Sequence, residues 1–218
     1  MIKSYIITMI NNSKSVEATE RCIQSANKFG YTPEIFKAIV PEDNLEEEFK
    51  KDNMSIDNFT LDTKYSKFKP AMCCYLSHKA LWRKCIDLDE NILVLEHDAI
   101  FIDKLPDKLY FNGLVNLGKP SYGQYLEPNL QRGVLPLFSK YHGGLPGTHA
   151  YMISPRGAKL LLKKKETTTP DLFLNKRDFP WIQEYYPWPI KADDNFTTIQ
   201  NVAGSTAKHN YNKNFEIL

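Results

Sequence analysis

The chain has 218 residues, 42% of them hydrophobic and 25% charged, with a formal net charge of +2. This is enough apolar chain for one substantial core, so a globular, water-soluble protein of one domain, or one domain with an appendage, is expected. Near-neutrality argues against a dedicated nucleic-acid binder, no stretch approaches the roughly 20 apolar residues that span a bilayer, and the N-terminus lacks the long apolar region and small-residue cleavage site of a signal peptide.

In chain order, Tyr5 to Met9 predicts a buried strand, followed by the turn-forming Asn11, Asn12 and Ser13. A helix is expected from about Ser15 to Lys28, stopping at Gly30. No glycine-rich phosphate fingerprint follows the first strand, so a dinucleotide fold of that kind has little support. Tyr31 to Val40 supplies a second strand parallel to the first, and Glu42 to Tyr65 a short helix and a long loop. Pro70 to Leu88 predicts a helix on which Cys74, His78, Leu81 or Trp82, and Cys85 recur on one apolar face. On such a face, a lone histidine is more often a hydrogen-bonded core residue than a ligand. The four cysteines, Cys22, Cys73, Cys74 and Cys85, show no C-x-x-C spacing, which argues against a zinc site or disulfide framework and points to reduced thiols in a cytoplasm.

Asn91 to Ile102 is the stretch around which the rest is organised. Ile92-Leu93-Val94-Leu95 has the length and branching of a central strand covered on both faces, and it runs directly into Glu96, His97 and Asp98. Open α/β sheets bind ligands outside the carboxyl ends of their strands, where these residues fall. On an extended backbone Glu96 and Asp98 point the same way with His97 turned away, and two hard oxygen ligands on one side suit a divalent metal beside nucleotide phosphates. A solvated strand-terminal turn is the bland alternative.

Leu105 to Gly133, rich in Pro, Gly, Tyr and Asn, predicts irregular structure with short strands, where an acceptor cleft could be built. The run from Tyr141 to His149 carries three glycines, two histidines and Thr148. Ala150 to Ile153 is then a short strand, Ser154 an N-cap and Pro155 the first residue of a helix that ends at Lys163, Lys164 and Lys165. Those lysines complement a helix C-terminus, although they would also permit nucleic-acid contact. Asp171 is either a helix cap or a catalytic carboxylate. The aromatic stretch Phe179 to Ile190 either lines a sugar or base platform or covers the core.

Four ordered blocks resemble glycosyltransferase family 25, the family of bacterial lipooligosaccharide sugar transferases. They are Cys74-Tyr75-Leu76-Ser77-His78 with Leu81-Trp82; Leu93-Val94-Leu95-Glu96-His97-Asp98-Ala99; Gly147-Thr148-His149-Ala150-Tyr151-Met152-Ile153-Ser154 with Gly157-Ala158; and Asp171-Leu172-Phe173-Leu174. A closing Gly204-Ser205-Thr206 is also similar, and the first strand and Arg21 fit more loosely. The resemblance implies a GT-A-like, Rossmann-type α/β sandwich with a mostly parallel sheet flanked by helices. Residues 1–103 would form the nucleotide-sugar half and residues 104–218 the acceptor half of a single domain. It implies a UDP-sugar donor, Mn or Mg, transfer with inversion, and a glycan or lipid-linked saccharide acceptor, in a cytoplasmic protein or one peripheral to the inner face of a membrane. Donor contacts would come from Thr8, Asn11, Arg21, Ser77, His78, Glu96, His97, Asp98, Thr148 and Ser205. The metal would be held by Asp98, Glu96 and His209, and Asp171 and Glu96 would be catalytic. His97 departs from the pattern, which has an aspartate there; Pro70 and Cys73 replace glycines. Two alternatives stay open: a glycosyltransferase acting on modified bases in nucleic acid, and a catalytically inactive glycan- or nucleotide-binding protein of the same fold.

Overall fold

A computed structural model describes residues 2–61, 63–120, 131–137, 144–145, 148–193, 196–201 and 216–218. The first half alternates strand and helix: β1 (Lys3–Thr8), α1 (Ser13–Asn27), β2 (Glu34–Lys37), α2 (Leu45–Lys51), α3 (Asp57–Leu61), α4 (Phe68–Leu88), β3 (Ile92–Glu96) and β4 (Ala99–Phe101). The second half has β5 (Leu114–Asn116), β6 (Gly133–Pro136), β7 (Ala150–Ile153), α5 (Pro155–Leu161), α6 (Pro170–Phe173), β8 (Gln183–Tyr186), β9 (Ile190–Ala192), β10 (Phe196–Thr197) and β11 (Glu216–Ile217).

Among the described residues, seven strands form one sheet in the order β2-β1-β3-β7-β5-β8-β6. β1 pairs in parallel with β2 and β3, as the alternation of strands and helices predicts. β7 then enters antiparallel between β3 and β5, and β6 is antiparallel to β8. The sheet is therefore mixed, with β7 and β6 opposed to the other five strands. Strands from both halves share it without a break.

Strand parity explains why β3 is apolar throughout. Ile92 and Val94 join Tyr5, Ile7, Tyr151 and Ile153 in the core beneath α4, while Leu93 and Leu95 join Ile6, Ala150, Met152 and the α1 residues Cys22 and Ala26 on the other face. All four β3 residues from Ile92 to Leu95 are 0% exposed. At about 25 cal/mol per Å² of apolar surface removed from water, this doubly covered strand is the thermodynamic centre of the fold. The α4 face is strongly aromatic: Phe173 of α6 packs edge-on to Tyr75, with centroids 5.1 Å apart, and stacks on Trp82 at 5.4 Å. These contacts dock the short α6 onto α4.

Local signals account for the helix ends. Asn12 caps α1 by accepting from the Ser15 N–H, and Gly30 takes φ +82° just past the helix end. Ser154 caps α5 by accepting from the Gly157 N–H, with Pro155 in its first turn. Glu42 to Tyr65 holds two short helices, α2 and α3, where the sequence suggests one helix and a long loop. Their Phe49 and Phe59 are buried against Tyr75, a long-range contact that helical periodicity over so few residues does not reveal. No helix of the described residues is long and apolar enough to cross a membrane.

Candidate functional site

From β1 the chain moves outward to β2 and then crosses to β3 on the opposite side of β1. The carboxyl ends of β1 and β3 thus flank the topological switch point, where open α/β sheets form a ligand crevice. Glu96, His97 and Asp98 lie at that point, as does the start of α1, whose first turn contains no acidic residue.

The extended-backbone expectation fails after Glu96. β3 ends there, and His97 and Asp98 occupy the turn into β4, so alternation no longer relates the two carboxylates. The reason is non-local: β4 leaves the main sheet and pairs with β9, with Ala99 opposite Ala192. His97 is not simply turned away, because its Nδ1 lies 3.2 Å from the Ser15 hydroxyl of α1 and its ring stacks on Phe196 at 5.2 Å and 8°. The Asp98 carbonyl accepts from the Asp193 N–H at 2.9 Å. Asp193 in turn approaches Arg21, Oδ2 to Nε 3.7 Å, so Arg21 does reach the β3 end, through an acidic partner absent from the sequence reading.

Glu96 shares the parity of Ile92 and Val94 and therefore faces α4. Its Oε1 lies 3.2 Å from His78 Nε2 and accepts the Thr148 hydroxyl at 2.6 Å, and its N–H donates to the His149 carbonyl at 3.0 Å. Burial would raise the Glu96 carboxyl, but His78, by hydrogen bond and electrostatically, and the Thr148 hydroxyl outweigh it and hold the group well below the ordinary carboxylate range. Glu96 is consequently a fixed anion at neutral pH. His78 is 0% exposed, and its Nδ1 lies 2.9 Å from the Tyr151 hydroxyl.

Cys74 sits one helical turn before His78, and ligand atoms of Cys74, His78 and Glu96 all fall within 4.8 Å of one another. This is a three-ligand grouping that could hold a metal, and it forms without Asp98. Sequence reasoning placed Cys74 and His78 on one helix face but not Glu96 opposite them. The parity of β3 was the signal that would have done so. Burial pushes the Cys74 thiol well above its ordinary range, and the charges of Glu96, Asp171 and Asp98 push it the same way. Carboxylates from two parts of the chain, the end of β3 and α6, therefore act electrostatically on one side chain. Asp171 lies inside the first turn of α6, where Thr169 is the cap residue, so the cap reading of Asp171 is corrected. Its carbonyl accepts from the Leu145 N–H at 3.0 Å, and a Cβ on Gly144 would come within 2.7 Å of that oxygen. The described glycine of the 141–149 run thus serves a close backbone approach within the protein.

Two of the expected donor contacts are placed elsewhere. Thr8 is 1% exposed and spends its hydroxyl on Thr19 and the Ile6 carbonyl. The Ser77 hydroxyl donates to the Cys73 carbonyl and accepts from the Ile39 N–H, joining α4 to the segment after β2. Both position the site from inside the core. Asn11 is exposed beside the start of α1. Ser205 and His209 lie outside the described residues. Lys164 pairs with Asp178 and Lys165 donates to the Asp52 carbonyl, which gives two of the three clustered lysines structural partners. The 179–190 stretch covers the core: Ile182 and Trp188 are buried, and the Trp188 indole donates to Glu184 at 2.9 Å.

An α/β sheet with carboxylates at its switch point has the layout in which such sheets bind their ligands. The sequence model of glycosyltransferase family 25 (LPS biosynthesis protein) matches residues 1–113. The chain belongs to that family and is a glycosyltransferase. No curated protein matches it.

Proposed function

We propose that the chain transfers a sugar from a nucleotide-sugar donor, with UDP as the nucleotide, to a hydroxyl group of a glycan or lipid-linked saccharide, with inversion, in lipopolysaccharide biosynthesis. The observation that carries this reading is the placement of Glu96 and Asp98 at the carboxyl end of β3, beside the switch point of the sheet, with the charge of Asp171 acting on the same Cys74 thiol as theirs. We assign donor binding to residues 1–103, which lie within the span that the family model matches, and acceptor binding to residues 104–218.

The donor diphosphate would lie across the start of α1, where unpaired backbone N–H groups and the helix dipole favour an anion. Arg21, half-exposed on that helix, would move from Asp193 to the phosphates. His97 would remain against Ser15 and Phe196 as one wall of the crevice. Glu96, held as an anion, is a poor proton acceptor and would instead orient donor groups. Asp171 would take the proton of the acceptor hydroxyl as the sugar carbon is attacked from the face opposite the diphosphate. The carboxylates of Asp98 and Glu96 are hard oxygen donors of the class that Mn or Mg selects, whereas the thiol and imidazole of Cys74 and His78 are not. An ion held by Asp98 and Glu96 would neutralise the diphosphate as it leaves.

Thermal unfolding with UDP, with and without Mn, on the wild type and Asp98→Ala tests the donor site. At about 100 times its dissociation constant a ligand adds roughly 2.7 kcal/mol, and at about 2–4 °C per kcal/mol the midpoint rises by about 5–11 °C. The expected result is a shift that needs both UDP and Mn and is lost in Asp98→Ala. Absence of any shift across a panel of nucleotides and nucleotide sugars would end the proposal.

A further inference from the structure

A cavity of about 310 Å³ lies between α3, the segment that follows α5, and α6. Asn58 lines it from α3, Glu166 and Thr168 from the segment after α5, and Leu172 from α6. That volume falls at the small end of the range for small-molecule sites. The walls are fixed from within. The Asn175 amide donates to the Phe173 carbonyl and to Asp178 Oδ2, both at 3.1 Å, and its Oδ1 accepts the Asp178 N–H at 2.9 Å. Lys164 pairs with the same Asp178 carboxylate and, more than any other contact, holds it well below the ordinary carboxylate range. The Asn58 amide donates to the Thr167 carbonyl at 3.1 Å, which ties α3 to this wall.

The lining selects a class of ligand. Lys164 and Arg177 balance Glu166 and Asp178, so the described lining carries no net charge, whereas a site for a phosphate group needs an excess of positive charge. An apolar ligand needs apolar walls, and Leu172 is the only apolar residue of the described lining. A sugar hydroxyl both donates and accepts, and here ammonium, guanidinium and amide N–H groups donate while carboxylate and amide oxygens accept. Among the described residues, the Thr168 hydroxyl and the Glu166 carboxylate have no internal partner and are available to a ligand. Leu172 is 44% exposed and offers an apolar surface for the C–H face of a pyranose ring. It directly follows Asp171, whose charge acts on the Cys74 thiol of the crevice. One short helix, docked through Phe173 on Tyr75 and Trp82, thus carries a carboxylate of the crevice and the apolar patch of the cavity on neighbouring residues.

We propose that this cavity is a saccharide subsite, holding an uncharged sugar residue of the acceptor beside Asp171. That the sugar belongs to the acceptor rests on the proposed transfer reaction, whereas the preference for an uncharged saccharide rests on the cavity alone.

The closing experiment therefore has two arms. In the first, saturation-transfer NMR on the full chain without donor uses the methyl glycosides of glucose, galactose and N-acetylglucosamine, with lactose and cellobiose, as probes. Glucuronate and inorganic phosphate serve as charged competitors. At least one neutral probe should bind, and neither competitor should displace it. Leu172→Ala and Thr168→Val, which remove the apolar patch and the free hydroxyl, should each weaken that probe about 3- to 10-fold, the range for one lost contact. Binding of no neutral probe, displacement by either competitor, or wild-type affinity in both variants overturns the subsite. In the second arm, transfer from a panel of UDP-sugars to the probe that bound is followed. KM for that acceptor should rise by the same factor in both variants, and an unchanged acceptor KM would remove the cavity from the reaction. A wild type that transfers from no donor defeats the functional proposal alone, because the binding arm still decides the cavity.

Discussion

The two faces of the sheet meet the carboxyl end of β3 differently. Beneath α4, Trp82, Tyr151, His78, Glu96 and Thr148 form one continuous hydrogen-bonded chain, most of it inaccessible to water. Beside α1, Arg21 and Asp193 stand 3.7 Å apart with side chains 37% and 47% exposed, and His97 Nδ1 lies 3.2 Å from the Ser15 hydroxyl. Buried polar groups are costly to leave unmatched, so the α4 face is rigid and its geometry predetermined. Exposed pairs contribute about 0–1 kcal/mol, so the α1 face is able to exchange its internal partners for those of a ligand at little cost. The comparison assigns orientation and chemistry to one face and capture of the anionic donor to the other.

The largest expected effect tests the chemical side of that division. Asp171→Asn removes the proposed proton acceptor while preserving shape, and should lower kcat by about 10²- to 10⁴-fold, the usual contribution of a general base. UDP-induced thermal stabilisation should be unchanged. If Asp171→Asn weakened UDP-induced stabilisation and left kcat at saturating donor unchanged, the roles of the two faces would have to be exchanged.

The rigidity of the α4 face is tested by Trp82→Ala. The side chain is fully buried against Tyr75 and Phe173 and also donates to Tyr151, so its loss combines a cavity with an unsatisfied hydroxyl. A cost of about 3–5 kcal/mol follows, or roughly 6–20 °C in the unfolding midpoint. A change of a degree or two would show that this face is not the stable one.

Much of the scaffold was legible because its signals are local. The four apolar residues of β3, the Asn12 and Ser154 caps, Gly30 and Pro155 each act within a few residues of their own position, and each marks the element it predicts. The site was less legible because its assembly is non-local. The turn at His97 depends on β4 pairing with the distant β9, which the extended reading of Glu96 and Asp98 did not include. Placing β7 antiparallel beside β3 brings Thr148 and Tyr151 to Glu96 and His78, and strand pattern alone does not fix that order. The position of α6, and with it Asp171, depends on Phe173 docking against Tyr75 and Trp82. Side-chain parity, however, was available throughout, and carrying it from Val94 to Glu96 would have directed that carboxylate to the face on which α4 presents His78.

The charge state of Glu96 sharpens the comparison through pH. Its carboxyl lies well below its ordinary 4.5 in the folded protein. A depressed folded-state value gives stability that is fully present above the unfolded value and lost as pH falls through the folded one. In metal-free buffer, the stability that Glu96 gives the wild type over Glu96→Gln should therefore be lost progressively as pH falls from the ordinary carboxylate range toward the folded-state value. Denaturant unfolding at stepped pH measures it. A difference that does not vary over this range would mean that His78 and Thr148 do not hold Glu96 ionised.

The smallest expected effect falls on the α1 face and separates binding from stability most cleanly. Arg21→Ala breaks only a long, half-exposed pair with Asp193, so the unfolding midpoint should move by less than about 2 °C. If the guanidinium exchanges Asp193 for a phosphate, UDP affinity should nevertheless fall about tenfold, equivalent to about 1.4 kcal/mol. Arg21→Lys should recover only part of that loss, because an ammonium group supplies charge without the planar pair of donors. Titration calorimetry at two salt concentrations gives the decisive reading: a charge-assisted contact exposed to solvent weakens as ionic strength rises. An Arg21→Ala protein that bound UDP as tightly as the wild type would move donor capture away from α1 and leave the carboxylates at the end of β3 to define the donor site.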